Sequence, residues 1–144
     1  GAEATVALET HTTPQSRIDA VREIVGGIGA DVVADCAGPP SAGPEGIEML
    51  RDGGTYVEMG QFTDAGSIDT NWYRFCSKDM TLVGSWGITS NDVPLGIDML
   101  YRARDRYPWS DMQTHFPFSE DGVAAAVQCA MEMKCVKATI VPNA

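Results

Sequence analysis

Short apolar runs that stop at glycine punctuate this chain, and amphipathic stretches separate them. "ADVVADCAG" (30–38), "GTYVEMG" (54–60) and "MTLVGSW" (80–86) each lead with Val, Leu or Tyr and end in a loop where glycine or a small residue takes over. Between the first pair lies "GPEGIEMLRDGG" (43–54), where Ile47, Met49 and Leu50 precede a double glycine, which predicts a short helix and its stop. Strands alternating with helices predict an α/β fold. The expected form is an open, doubly wound parallel sheet with helices on both faces. Such open sheets bind ligands beyond the carboxyl ends of their strands. Glycine at that edge lets a ligand approach backbone where a side chain would obstruct it.

The remaining segments fit the same alternation. "ATVALE" (4–9) reads as a strand. "TPQSRIDAVREIVGG" reads as a helix with Thr13 as its cap, Pro14 in its first turn, apolar Ile18, Val21, Ile24 and Val25, and Gly26–Gly27 as its stop. "NDVPLGIDMLYRARD" (91–105) predicts a helix capped by Asn91 or Asp92, and "SEDGVAAAVQCAMEM" (119–133) one capped by Ser119 with acids in its first turn. "KATIVPNA" closes the chain as a strand that Pro142 ends, while "DTNWYRFCSKD" is ambiguous. No repeat or linker divides the 144 residues, so one domain, 1–144, is expected.

Charge narrows the partners. Ten basic against twenty acidic residues give a net charge of −10, which argues against a surface that tracks phosphates, so no nucleic-acid partner is expected. No apolar stretch approaches the roughly 20 residues that span a bilayer, and no membrane partner is expected. Cys36, Cys76, Cys129 and Cys135 lie 40, 53 and 6 residues apart with no CxxC pair, which disfavours a structural zinc site. They read as reduced thiols of a cytoplasmic protein.

Five stretches, "GAEATVALE", "GADVVADCAG", "LRDGGTYVEMGQF", "DMTLVGSWG" and "MKCVKATIVP", stand in an order that resembles the medium-chain dehydrogenase/reductase family, the zinc-type alcohol and polyol dehydrogenases. In that family a GxDVVxDxxG stretch forms the fourth strand of the cofactor domain and a GGxxVxxG stretch the fifth. The resemblance implies a partial NAD(P)-binding Rossmann domain. The strands carrying GxGxxG and the ribose-reading residue, and the catalytic zinc domain, would lie in parts of the parent outside this chain. Of the sheet order 3-2-1-4-5-6 this chain would supply strands three to six. "ATVALE" would then lack a neighbour and "DVVADCA" would show a bare edge, so self-association, rearrangement or a partner segment is expected.

The implied function is hydride transfer between an alcohol and NAD or NADP. Zinc would be held only by the absent domain, so this piece alone should be inactive. By resemblance Cys36, Ala37 and Gly38 pass near the adenosine or ribose. Met59, Gly60 and Gln61 sit against the nicotinamide ribose with backbone groups bonding the carboxamide, which the backbone of Gly84, Ser85 and Trp86 also meets, with Trp86 a candidate wall of the substrate pocket. Lys137 matches a basic residue that reaches the pyrophosphate. Each has a plainer reading: a tight turn for Cys36–Gly38, core or interface for Trp86, a solvated lysine for Lys137. No residue is assigned to catalysis or to a metal. His11 and His115 lack a partner in sequence, and no GxSxG surrounds Ser41, Ser67 or Ser119. In the family the region after the fifth strand joins the dimer contact, which suits the aromatics of "NWYRF" and implies a homo-oligomer, dimer or tetramer. Two other functions share these features: a zinc-free quinone or enoyl reductase of the same superfamily, and a non-enzymatic Rossmann-like binding module.

Overall fold

Thr13 starts the first helix as its chemistry demands. In the computed structural model, which describes residues 2–142, the Thr13 hydroxyl accepts from the Ser16 N–H at 3.2 Å and the Ser16 hydroxyl accepts from the Thr13 N–H at 3.3 Å. This capping box opens α1 (Pro14–Ile24), and the Gly27 N–H closes its far end on the Arg22 carbonyl at 2.7 Å. Gly1 and the last two residues of the "KATIVPNA" stretch lie outside the described residues.

Two compact units make up the chain, Gly1–Ile88 and Thr89–Ala144. In the first, β1 (Ala30–Asp35), α2 (Ala42–Met49), β2 (Leu50–Glu58), α3 (Tyr73–Ser77) and β3 (Thr81–Gly84) follow α1. The strands are parallel in the order β1-β2-β3. Val33 pairs with Tyr56, and Tyr56 with Leu82, so these three share the face on which α2 lies. Ile47, Leu50 and Tyr56 are buried there, with Val33, Phe75 and Met80 packed against them. Gly46 makes the contact possible, because a Cβ at that position would stand 2.7 Å from Cε2 of Tyr56. The opposite face carries Val32 and Val83, which are 60% and 43% exposed. Within this unit the sheet is therefore covered on one face, whereas the apolar run of β1 predicts cover on both.

Ion pairs tie the helices to one another. Arg17 on α1 makes two hydrogen bonds to the Glu45 carboxylate on α2, at 2.6 and 2.7 Å, and a third at 2.8 Å to the His11 carbonyl in the preceding loop. Glu48 at the end of α2 receives Arg74 of α3 at 2.6 and 2.5 Å, and its carbonyl receives Arg22 of α1. Lys78 is buried and donates to the Leu50 carbonyl.

Three expectations are corrected here. Residues 4–9 do not form a strand: with no strand paired to them among the described residues, β-forming composition has no ladder to join. The double glycine at 53–54 does not separate helix from strand. Helix α2 ends at Met49 and β2 begins at Leu50, pairing with Ala30 before the register jumps to Val32 opposite Thr55. Gly53 and Gly54 sit in that irregularity, where the Gly53 N–H reaches the Lys78 carbonyl at 2.6 Å. Neither Asn91 nor Asp92 caps the fourth helix with its side chain. The Asp92 carboxylate turns back to the Thr89 N–H and hydroxyl, at 2.7 and 2.8 Å, and closes the turn before the helix.

The second unit holds α4 (Asp92–Ala103), β4 (Gln113–Pro117), α5 (Glu120–Met131) and β5 (Lys137–Val141). Strands β4 and β5 are parallel and in register from Gln113 opposite Lys137 to Pro117 opposite Val141, joined through α5. Ser119 caps α5 as expected, accepting from the Gly122 N–H at 3.1 Å. Strand β4 has no counterpart in the sequence reading.

Candidate functional site

The carboxyl ends of β1, β2 and β3 lie side by side, because the register pairs Asp35 with Glu58 and Glu58 with Gly84. Nine of the ten candidate positions follow directly: Cys36, Ala37 and Gly38 after β1, Met59, Gly60 and Gln61 after β2, and Gly84, Ser85 and Trp86 at the end of β3. Lys137, the first residue of β5, belongs to the second unit and lines a separate cleft there with Leu100, Trp109, Met112 and Thr139.

The ladder continues past the strand ends. The Met59 N–H donates to the Asp35 carbonyl at 3.2 Å and the Ser85 N–H to the Glu58 carbonyl at 2.9 Å, so the three loops leave the sheet in step. Between the second and third loops opens a cleft of about 260 Å³ lined by Glu58, Met59, Gln61, Gly84, Ser85 and Trp86. Met59 is 45% and Trp86 76% exposed, large apolar groups presented to the cleft rather than to a core. Gly84 leaves its floor clear: a Cβ added there would meet nothing within 4 Å.

Both acidic residues at the strand ends turn on their own loops. Asp35 Oδ1 accepts from the Ala37 N–H at 2.8 Å. Glu58 Oε1 accepts from the Gly60 N–H at 3.0 Å and the Gln61 N–H at 3.2 Å. The other oxygen of Asp35 takes the Tyr56 hydroxyl at 2.9 Å, inside the core. Burial, and then the Asp35 carboxylate beside it, push the Tyr56 hydroxyl well above the usual phenol range, which keeps it a donor. The first and second loops also touch. A Cβ on Gly60 would stand 2.8 Å from the amide nitrogens of Ala37 and Gly38, so only glycine fits this crossing. Gly38 itself turns through φ +88°.

Sequence reasoning located the glycines and missed Asp35, Tyr56 and Glu58. A signal was present: β1 and β2 each end in an acid followed two positions on by a small residue, the pattern of a side chain bonding its own backbone. The Tyr56 partner, 21 residues from Asp35, has no local signature.

The lining combines apolar and polar surface. Met59 and Trp86 supply apolar surface, and Gln61 and the Ser85 backbone region supply polar groups. Among the described residues no three His, Cys, Asp or Glu side chains stand together to hold a metal ion.

A parallel sheet with a helix on one face and a cleft at the carboxyl ends of β2 and β3 makes this an open α/β fold. Residues 1–102 match the zinc-binding dehydrogenase family, and the chain belongs to that family. A 5-exo-hydroxycamphor dehydrogenase of Pseudomonas putida is 29% identical over 140 residues, which are 97% of this chain and 38% of that protein. A sorbitol dehydrogenase of Halalkalibacterium halodurans is 38% identical over 65 residues, 45% of this chain and 19% of that protein. The solved alcohol dehydrogenase of Thermotoga maritima superposes with a TM-score of 0.84 at 24% identity, over 99% of this chain and 38% of that one, and so shares the fold. The chain spans 38% or less of the length of each of these relatives.

Proposed function

We propose that this chain is the cofactor-orienting part, a partial Rossmann domain, of an oxidoreductase that moves hydride between a small alcohol or carbonyl compound and NAD or NADP. The cleft at the carboxyl edge of β2 and β3 carries this reading, together with the relatives, which are named as dehydrogenases of alcohols and polyols. When bound, the nicotinamide accepts or returns the hydride. The residues of this chain would bind and orient it. Met59 and Trp86 would lie against the ring and keep water off it, while Gln61 and the Ser85 region would bond the carboxamide. Gly84 would leave the ring room to lie over the strand end. Cys36, Ala37 and Gly38 would seat the neighbouring ribose or adenosine. Lys137 is proposed as a cation for the pyrophosphate, on charge alone.

The rest of the proposal follows the family. Zinc, where the parent uses it, would be held outside this chain, and the piece alone would be inactive. A homo-oligomer is proposed on the 72% and 68% exposure of Trp72 and Tyr73. A cytoplasmic setting suits four unpaired thiols, and no helix among the described residues is long and apolar enough to cross a membrane.

The test is titration of the full-length protein carrying this chain with NADH and, separately, NADPH, following quenching of its tryptophan fluorescence. Saturable quenching by at least one of them is expected, displaced by its oxidised form. Absence of saturable binding by both overturns the proposal.

A further inference from the structure

Asp35 is the one acidic side chain among the buried polar residues of the described chain, 6% exposed, and no Lys, Arg or His pairs with it there. A carboxylate taken from water without a cation is costly, and a core that needed only to be filled would be better served by an apolar side chain. The structure shows where its two oxygens go. Oδ2 is anchored on the Tyr56 hydroxyl at 2.9 Å, and Tyr56, 2% exposed, is itself held under α2 by the close approach at Gly46. Oδ1 takes the Ala37 N–H at 2.8 Å. From the other side Gly60 presses against the same turn, where a Cβ would come within 3.0 Å of Oδ1 and 2.8 Å of two amide nitrogens. The turn Cys36–Ala37–Gly38 is thereby fixed from the core, from its own strand end and from the neighbouring loop.

We infer that Asp35 is the positioning residue of this edge, relaying the rigid placement of Tyr56 to the Cys36–Gly38 turn so that the turn is already set when a dinucleotide arrives. The inference rests on the reading of this edge as a dinucleotide site. Asp35 touches no ligand in this scheme. It acts through the backbone of Ala37, and its removal lets the turn relax into the space the ligand needs.

The experiment measures dinucleotide Kd and Tm together in the full-length protein. Asp35→Ala is expected to raise Kd for NADH or NADPH about tenfold or more, the loss of one well-placed hydrogen-bonded group. Asp35→Asn keeps an acceptor for the Ala37 N–H and a partner for the Tyr56 hydroxyl, and should stay within about threefold of the unaltered protein. Leu50→Ala opens a cavity in the same core without touching the turn, so it should lower Tm at least as far while leaving Kd within about twofold. Should Asp35→Ala not fold, Tyr56→Phe frees one carboxylate oxygen and should raise Kd about threefold. The inference is overturned if Kd is unmoved in Asp35→Ala (or in Tyr56→Phe where that stands in), if Asn behaves as Ala, or if Leu50→Ala weakens binding as much. Failure of the unaltered protein to bind either dinucleotide overturns the functional reading, and the inference with it.

Discussion

Two glycines show how the same residue type can serve opposite purposes. Gly84 faces open space, so Gly84→Val adds a good strand former with no clash inside the protein. Its stability should stay within about 0.5 kcal/mol of the unaltered protein, while the added methyls fill the cleft floor and raise the dinucleotide Kd about tenfold or more. Urea unfolding and a fluorescence titration on the same sample check both halves, and unchanged affinity would count against the cleft as the ring site. Gly46 is the reverse case. In an ordinary helix Gly→Ala stabilises by roughly 0.5–1 kcal/mol. Here the new methyl would lie 2.7 Å from the Tyr56 ring, 3.2 Å from Val33 and 3.3 Å from the Tyr56 hydroxyl. Gly46→Ala should therefore destabilise by about 1–3 kcal/mol, read as a lower urea midpoint. A raised midpoint would show that α2 can shift on the sheet.

The elements are held by side chains at their ends, and these can be tested one by one. Thr13→Ala removes the acceptor for the Ser16 N–H and should cost about 1 kcal/mol of stability, whereas Thr13→Ser should cost much less. The Glu48 pairing adds a pH dependence. Hydrogen bonds from Arg74 hold the Glu48 carboxyl below the usual carboxylate range, aided by the charges of Arg74, Lys78 and Arg22 and opposed by burial. Because the folded value is depressed, this contribution is fully present above the unfolded value of about 4.3 and is lost as pH falls through the folded value. Urea midpoints measured from pH 6 down to pH 3 should fall, and Glu48→Gln should flatten that limb. Helix starts at Thr13 and Ser119 and the ends of β1, β2 and β3 were legible because local chemistry decides them. Strand β4 was not: Gln113, Thr114 and His115 are exposed, so there is no apolar face to announce it, and it exists through its pairing with Lys137–Val141. Residues 4–9 failed in the opposite sense, with strand-like composition and no partner. At the site, the glycines could be read from the sequence. The Asp35–Tyr56 bond could not, since it joins two strands through side chains that each look ordinary.

Among the described residues far more large apolar side chains are exposed than buried. Val32, Leu82, Trp72, Trp86, Ile88, Leu95 and Ile97 are all at least 49% exposed, while five hydrophobic residues are buried among the described ones. Surfaces of that kind are covered in a working protein. A protein made of these 144 residues alone should bind a hydrophobic dye strongly and sediment as more than one copy, increasingly so with concentration. A dye-silent monomer would show that the exposed groups find cover within the chain. The net charge of −10 works against such association, so salt should promote it.

The strand-end carboxylates have a consequence for which ligand groups can settle where. Free amides at the mouth of a sheet are a ready seat for an anion, but here the N–H groups of Ala37, Gly60 and Gln61 are already engaged by Asp35 and Glu58. A phosphate arriving at this rim would meet fixed negative charge and no free backbone N–H from those three residues. A neutral amide or a positively charged ring would meet the same rim without that repulsion. By occupying its own donors, the edge sorts the two ends of a polar ligand before any side chain touches it.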